Sequence, residues 1–105
     1  MKYLLNYDID EASGEKIVSC TSKVEIEHKK EILSYLKKFP PHAYSSGYVY
    51  DKISKAKTDI IDSLTGDGKY LWGTTEVYYF EKYNLKLNDD FIQYVLGKTE
   101  ATNGT

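Results

Sequence analysis

The stretch Gly66–Leu96, GDGKYLWGTTEVYYFEKYNLKLNDDFIQYVL, constrains this chain more than any other. It holds the single Trp, two of the three Phe and the clearest start and stop signals. Asp67-Gly68 is a preferred pair for a two-residue hairpin turn, in which both positions need positive φ. Thr58–Leu64 therefore reads as one strand and Lys69–Trp72 as its return, with Tyr70 and Trp72 on one side. Gly73 frees the backbone, and Thr74 or Thr75 can N-cap a helix whose first turn carries Glu76, a carboxylate where the helix dipole favours one. Val77, Phe80 and Tyr83 would form its buried side, with Tyr78 projecting the other way. Asn84 suits a left-handed C-terminal position. Asn88 N-caps a last helix; Leu87 and Ile92 are placed as a hydrophobic staple. Phe91, Ile92, Val95 and Leu96 form its apolar face, Tyr94 points away from it, and Gly97 is expected to end it.

The first half is less punctuated. Tyr3, Leu5, Tyr7 and Ile9 alternate as in a strand over Lys2–Ile9. Turn residues Asp10–Gly14 follow, and Glu15–Thr21 can return as a second strand. Ser22-Lys23-Val24-Glu25 fits a capping box opening a helix to Lys38; a rival reading starts the helix near Glu27 and leaves Lys23–Ile26 extended. Glu31–Lys38 is helical in both, and His28 would be a helix residue at the core edge. Pro40-Pro41 stops that helix, because the residue before a proline leaves α geometry. Pro41–Ala56 reads as loop plus a short strand around Tyr48–Tyr50, with Lys52, Lys55 and Lys57 as a solvated basic patch.

These signals predict an α+β domain: a small antiparallel sheet of two hairpins with about three helices packed on it. At 105 residues the chain makes one domain, expected over residues 1–97, with a flexible tail at 98–105. A formal net charge of −2 disfavours a general nucleic-acid binder, which needs a dense positive face. One cysteine, Cys20, permits neither an internal disulfide nor a Cys-rich zinc site, and points to the reducing cytoplasm. Asn6 and Asp8 interrupt the N-terminal apolar run, so it does not read as a signal peptide, and no run has the length of a membrane span.

Chemistry is sparse. His28 and His42 are the only histidines, with no carboxylate at zinc-ligand spacing. No nucleophile turn or phosphate-cradling glycine loop appears. Asp8, Asp10 and Glu11 offer oxygens to a hard cation but miss the calcium-loop spacing. No enzyme, cofactor or metal is therefore expected. Eleven tyrosines stand out. They fit a tyrosine-rich core, a protein-binding face, or both, since Tyr combines a large apolar ring with a polar tip. Tyr78 and Tyr94 on outer helix faces, with Asp59, Asp62 and Asp67 along the hairpin, would make an aromatic and acidic surface suited to a basic protein partner.

The runs DGKYLW (Asp67–Trp72), VYYFEKYNLKL (Val77–Leu87) and DFIQYV (Asp90–Val95) resemble a loose family of small bacterial immunity proteins, encoded beside polymorphic or contact-dependent growth inhibition toxins. ILSYLKK (Ile32–Lys38) is similar to the segment preceding them. The resemblance implies a cytoplasmic protein that binds a cognate toxin domain, often a nuclease, and covers its active or substrate site. It assigns no functional residues. Two other readings stay open: a small enzyme or ligand-binding domain whose pocket assembles from sequence-distant residues, and a mobile-element inhibitor of a host protein.

Overall fold

The computed structural model describes residues 2–103. It has an α+β fold, in the order β1 (Lys2–Tyr3), α1 (Gly14–Ser19), α2 (Lys29–Lys38), β2 (Ala43–Asp51), β3 (Ala56–Gly66), β4 (Tyr70–Gly73), α3 (Thr74–Tyr83) and α4 (Asp89–Asn103). The strands form one sheet in the order β1-β4-β3-β2. β1 runs parallel to β4, and the other neighbours are antiparallel.

The Gly66–Leu96 stretch organises the interior. It supplies Tyr70, Trp72, Tyr79, Phe80, Leu85, Leu87, Phe91 and Val95, eight of the fourteen residues in the buried cluster. Burying each such side chain contributes about 1.5–3 kcal/mol, so most of the hydrophobic stabilisation resides here. On β4, Tyr70 and Trp72 face this core by strand alternation. Tyr70 and Trp72 meet Phe91 of α4 with ring centroids 4.9 and 5.9 Å apart. α3 follows β4 without a loop, and Gly73 is its N-cap. Glu76 Oε1 accepts the Gly73 N–H at 3.1 Å, so the carboxylate serves the helix start that Thr74 or Thr75 was expected to cap. Asn84, at φ 57°, closes α3 as expected.

The N-terminal region departs from the expected hairpin. Only Lys2–Tyr3 pair, in parallel register with Tyr70–Leu71. Leu4 and Leu5 are then both buried, which a one-sided strand does not allow, and Leu4 carries its carbonyl to the Asn88 N–H at 2.7 Å. Asp8 closes a turn, its carbonyl accepting from Glu11 and Ala12. Glu15–Thr21 is not a strand: Ser13 Oγ accepts the Lys16 N–H at 3.1 Å and caps the short helix α1, which buries Ile17.

The capping box at Ser22 is not used. Ser22 Oγ instead accepts the Val24 N–H, Val24 is exposed, and α2 starts after a left-handed His28 at φ 61°. His28 is thus an exposed N-cap and not a helix residue at the core edge. The rival reading, with an extended Lys23–Ile26, is the nearer one. Phe39, before Pro40, is extended at ψ 137° and ends α2 as anticipated. The segment read as loop plus a short strand is the nine-residue strand β2. At the other end, Gly97 does not stop the last helix; α4 continues to Asn103. Of the expected tail, residues 104–105 lie outside the described residues. No helix among the described residues is long and apolar enough to cross a membrane.

Candidate functional site

Three of the five residues expected to form an exposed binding surface, Asp67, Tyr78 and Tyr94, are half-buried, with their polar atoms bonded within the fold. Asp67 is the hub of the β3–β4 turn. Its Oδ1 accepts the Lys69 and Tyr70 N–H groups at 2.9 and 2.8 Å; its Oδ2 accepts the hydroxyls of Tyr35 and Tyr94 at 2.5 and 2.9 Å. Burial would raise this carboxyl, but those four donors outweigh it and hold the pKa down to about 2. The turn itself is not the two-residue type expected: Gly66 pairs with Leu71, and only Gly68 has positive φ, at 95°. Tyr94, half-buried, therefore does not point away from the body.

Tyr78 is likewise half-buried, its hydroxyl donating to the carboxylate of Asp51. Asp51, at the end of β2, has no exposed surface. Its Oδ1 accepts the Ile53 and Ser54 N–H groups, each at 2.9 Å, and its Oδ2 accepts Tyr78 and Tyr83 at 2.7 and 2.6 Å. Burial opposes ionisation, yet the Tyr83, Ser54, Tyr78 and Ile53 donors hold its carboxyl well below the usual range. Lys82, 3.6 Å away, adds a positive neighbour. The adjacent Lys52 is not part of a solvated patch. Its backbone N–H donates to the Tyr79 hydroxyl at 2.8 Å, and its ammonium bonds the carbonyls of Ile9, Asp10 and Ala12. Lys55 and Lys57 are exposed, as expected.

Asp59 and Asp62 remain on the surface side of β3. Asp59 is exposed, and Asp62 is partly covered and accepts the Thr75 hydroxyl at 3.3 Å. They belong to the ribbon formed by β2 and β3, which is fixed at both ends. Asp51 and Val49 are buried at one end; at the other, Leu64–Gly66 pair with Trp72, Gly73 and Leu71 of β4. Between these anchors the pairing is irregular. Four steps along β2, from Tyr44 to Tyr48, match two along β3, from Ser63 to Ile61; the imbalance reverses between Tyr48 and Tyr50. Successive residues Asp59, Ile60 and Ile61 are all exposed, as are Gly47 and Tyr48. Neighbours on a strand point to opposite sides, so both faces of this middle section meet solvent.

The ribbon also carries most of the large apolar side chains left uncovered: Tyr44 at 68 % exposure, Tyr48 at 63 %, Ile61 at 53 %, and Tyr50, Leu64 and Ile60 less so. Tyr48 and Ile61 are a direct cross-strand pair. β2 is also the edge of the sheet, so its outer row of backbone groups has no strand partner among the described residues.

Beside the ribbon, a pocket of about 540 Å³ lies between the Leu5–Asp10 segment and the β3–β4–α3 junction. Glu76 lines it, and burial, together with Asp10, Asp62 and Asp8, raises its pKa to about 7 against the single Gly73 N–H that favours the charged form. Asp10 is raised too, by burial and by Asp62 and Asp8, with Lys52 opposing. Among the described residues no group of three or more His, Cys, Asp or Glu side chains is arranged to hold a metal ion.

No family model matches the sequence, and comparisons with curated proteins and with solved structures find no match. The functional reading therefore stands on the ribbon, the pocket and the resemblance of the three C-terminal runs. Of the residues expected at an exposed surface, Asp59 and Asp62 lie on this ribbon; the sequence reading did not single out Tyr44, Tyr48 or Ile61. The exposed Tyr-x-Tyr of Tyr48–Tyr50 opposite the apolar pair Ile60-Ile61 was the available signal.

Proposed function

We propose that this protein is a protein-binding inhibitor of the immunity type, acting in the cytoplasm, and that it meets a cognate toxin domain through the β2–β3 ribbon. The observation that carries this reading is the uncovered set Tyr44, Tyr48, Tyr50, Ile60 and Ile61 on a ribbon exposed on both faces. Tyrosines in such a setting are the side chains that carry interface affinity: large, stiff rings with a polar tip. Asp59 on the ribbon, with Asp62, Asp10 and Asp8 beside it, gives the surface an acidic flank. That charge suits a toxin with a basic, nucleic-acid-handling cleft and would speed encounter with it. The toxin as partner rests on the resemblance of Asp67–Trp72, Val77–Leu87 and Asp90–Val95 to immunity proteins.

Asp67, Tyr78 and Tyr94 leave the proposed contact set, because their polar atoms are already bonded within the fold. Growth rescue tests the proposal. The toxin domain encoded at the same locus is expressed in a susceptible bacterium with the wild-type chain, with Y48S/I61S, or with D59K/D62K. Wild type is expected to restore growth, with Y48S/I61S failing to protect while keeping its circular dichroism and melting temperature. Full protection by a folded Y48S/I61S variant would remove the ribbon from the interface. Absence of protection by wild type would remove the immunity reading.

A further inference from the structure

We propose that the pocket between Leu5–Asp10 and the β3–β4–α3 junction binds a small organic cation, an ammonium or guanidinium group on a short apolar body. The volume of about 540 Å³ lies in the range of small-ligand sites, roughly 300–1,000 Å³. Its lining combines the apolar side chains of Leu5, Ile9, Leu64, Leu71 and Trp72 with the carboxylates of Asp8, Asp10 and Glu76. No lysine, arginine or histidine lines it.

Lys52 acts on Asp10 from outside, but no lysine lines the pocket itself. Asp62 adds a fourth carboxylate within electrostatic reach of Glu76 and Asp10. The ion pairs of the described residues lie elsewhere, at Lys37–Glu81, Lys82–Asp51 and Glu27–His28. Two lysines stand behind the lining: Lys52, whose ammonium is bonded to three backbone carbonyls, and Lys16, 4.9 Å from the Tyr7 ring centroid. The carboxylates are also too dispersed to coordinate a metal ion. A dispersed negative field against a hydrocarbon wall fits a cation that brings its own apolar body. Trp72, 1 % exposed, lines the same pocket and otherwise packs on Tyr35, Phe39 and Phe91.

Trp72 is the only tryptophan, so its emission reports occupancy. The chain is titrated with n-butylammonium and n-butylguanidinium, and with n-pentanol and pentanoate as neutral and anionic isosteres. Saturable emission changes are expected with the cations alone. Glu76 is faced by Asp8, Asp10, Asp62 and the Tyr7 hydroxyl, with Lys52 beyond Asp10. Affinity for the cations should fall by about tenfold from pH 8 to pH 5.5 as Glu76 takes up its proton. E76Q keeps an acceptor for the Gly73 N–H and is expected to bind about tenfold more weakly, with the pH dependence flattened. Y48S/I61S, which removes the ribbon contacts, should bind cations as wild type does, so this site and the protein interface fail separately. Equal binding of pentanol and butylammonium, no saturable binding of either cation, or an unaltered affinity in E76Q would each overturn the proposal.

Discussion

Asp51 and Asp67 are bonded alike at opposite ends of β3. Each uses Oδ1 to close the turn that follows it, on N–H groups two and three residues ahead, and Oδ2 to receive two tyrosine hydroxyls. The tyrosines come from α3 alone at Asp51, and from α2 and α4 at Asp67. The ribbon is thereby tied to all three long helices.

D51A strands two tyrosine hydroxyls and two turn N–H groups in a site with no exposure. It should cost about 4 kcal/mol, and D67A about 2–3 kcal/mol because Asp67 is partly solvated. Urea unfolding measures both. A loss below about 1 kcal/mol in D51A would contradict the role given to that carboxylate.

The tyrosines divide into two functional classes. Y83F and Y78F each remove a hydroxyl bonded to a buried charge and should lower stability by about 1–2 kcal/mol. Y44S and Y48S remove exposed rings and should change stability by less than about 0.5 kcal/mol. Equal destabilisation in the two sets would show that the ribbon rings are part of the core.

Stability should peak near pH 4–5 and decline on both sides. Glu76 has its folded pKa raised from 4.5 to about 7, so its contribution is complete below 4.5 and is lost as pH rises through 7. The loss is about 3–3.5 kcal/mol, with Asp10 acting in the same direction. Asp67, lowered from 3.8 to about 2, stabilises above 3.8, and its contribution is lost as pH falls through 2; Asp51 adds to that acid limb. Melting temperatures across pH 2–8 test this, and E76Q should flatten the alkaline side.

Two glycines admit no side chain. A Cβ at Gly66 would sit 2.4 Å from the Tyr70 carbonyl oxygen, and one at Gly14 2.7 Å from the Lys52 carbonyl oxygen. Both contacts are with backbone, so neighbours cannot swing aside. G66A and G14A should each cost about 2–3 kcal/mol by unfolding equilibrium, whereas G97A, with open space around it, should be neutral or stabilising.

The C-terminal half was legible because its signals are local. Gly73, Asn84 and Asn88 punctuate helices whose apolar positions recur at helical spacing, and apart from the end of α4, which passes Gly97 to reach Asn103, their boundaries agree with the structure to within a few residues. The α+β class follows from them. The first half was misread where partners are remote. Tyr3, Leu5, Tyr7 and Ile9 alternate, but Leu4 is drawn inward by Asn88, far along the chain. In β2, irregular register breaks the two-residue period that announces a strand. Tyr78 and Tyr94 looked outward because each lies off its helix's main apolar stripe; the carboxylates that capture them come from turns that helix periodicity does not see. Of the expected surface only Asp59 is fully exposed; Asp62 is partly covered, and neither lies at a turn needing a side-chain acceptor.

The parallel pairing of β1 with β4, and the bond from Asn88 Nδ2 to the Tyr3 carbonyl across 85 positions, set an order of assembly. Lys2–Leu5 are synthesised well before the residues that hold them, so on the ribosome this segment waits unpaired while the β3–β4 turn can close locally. Docking of the segment therefore cannot precede synthesis of Asn88, and the pocket it walls, between Leu5–Asp10 and Glu76, is incomplete until then.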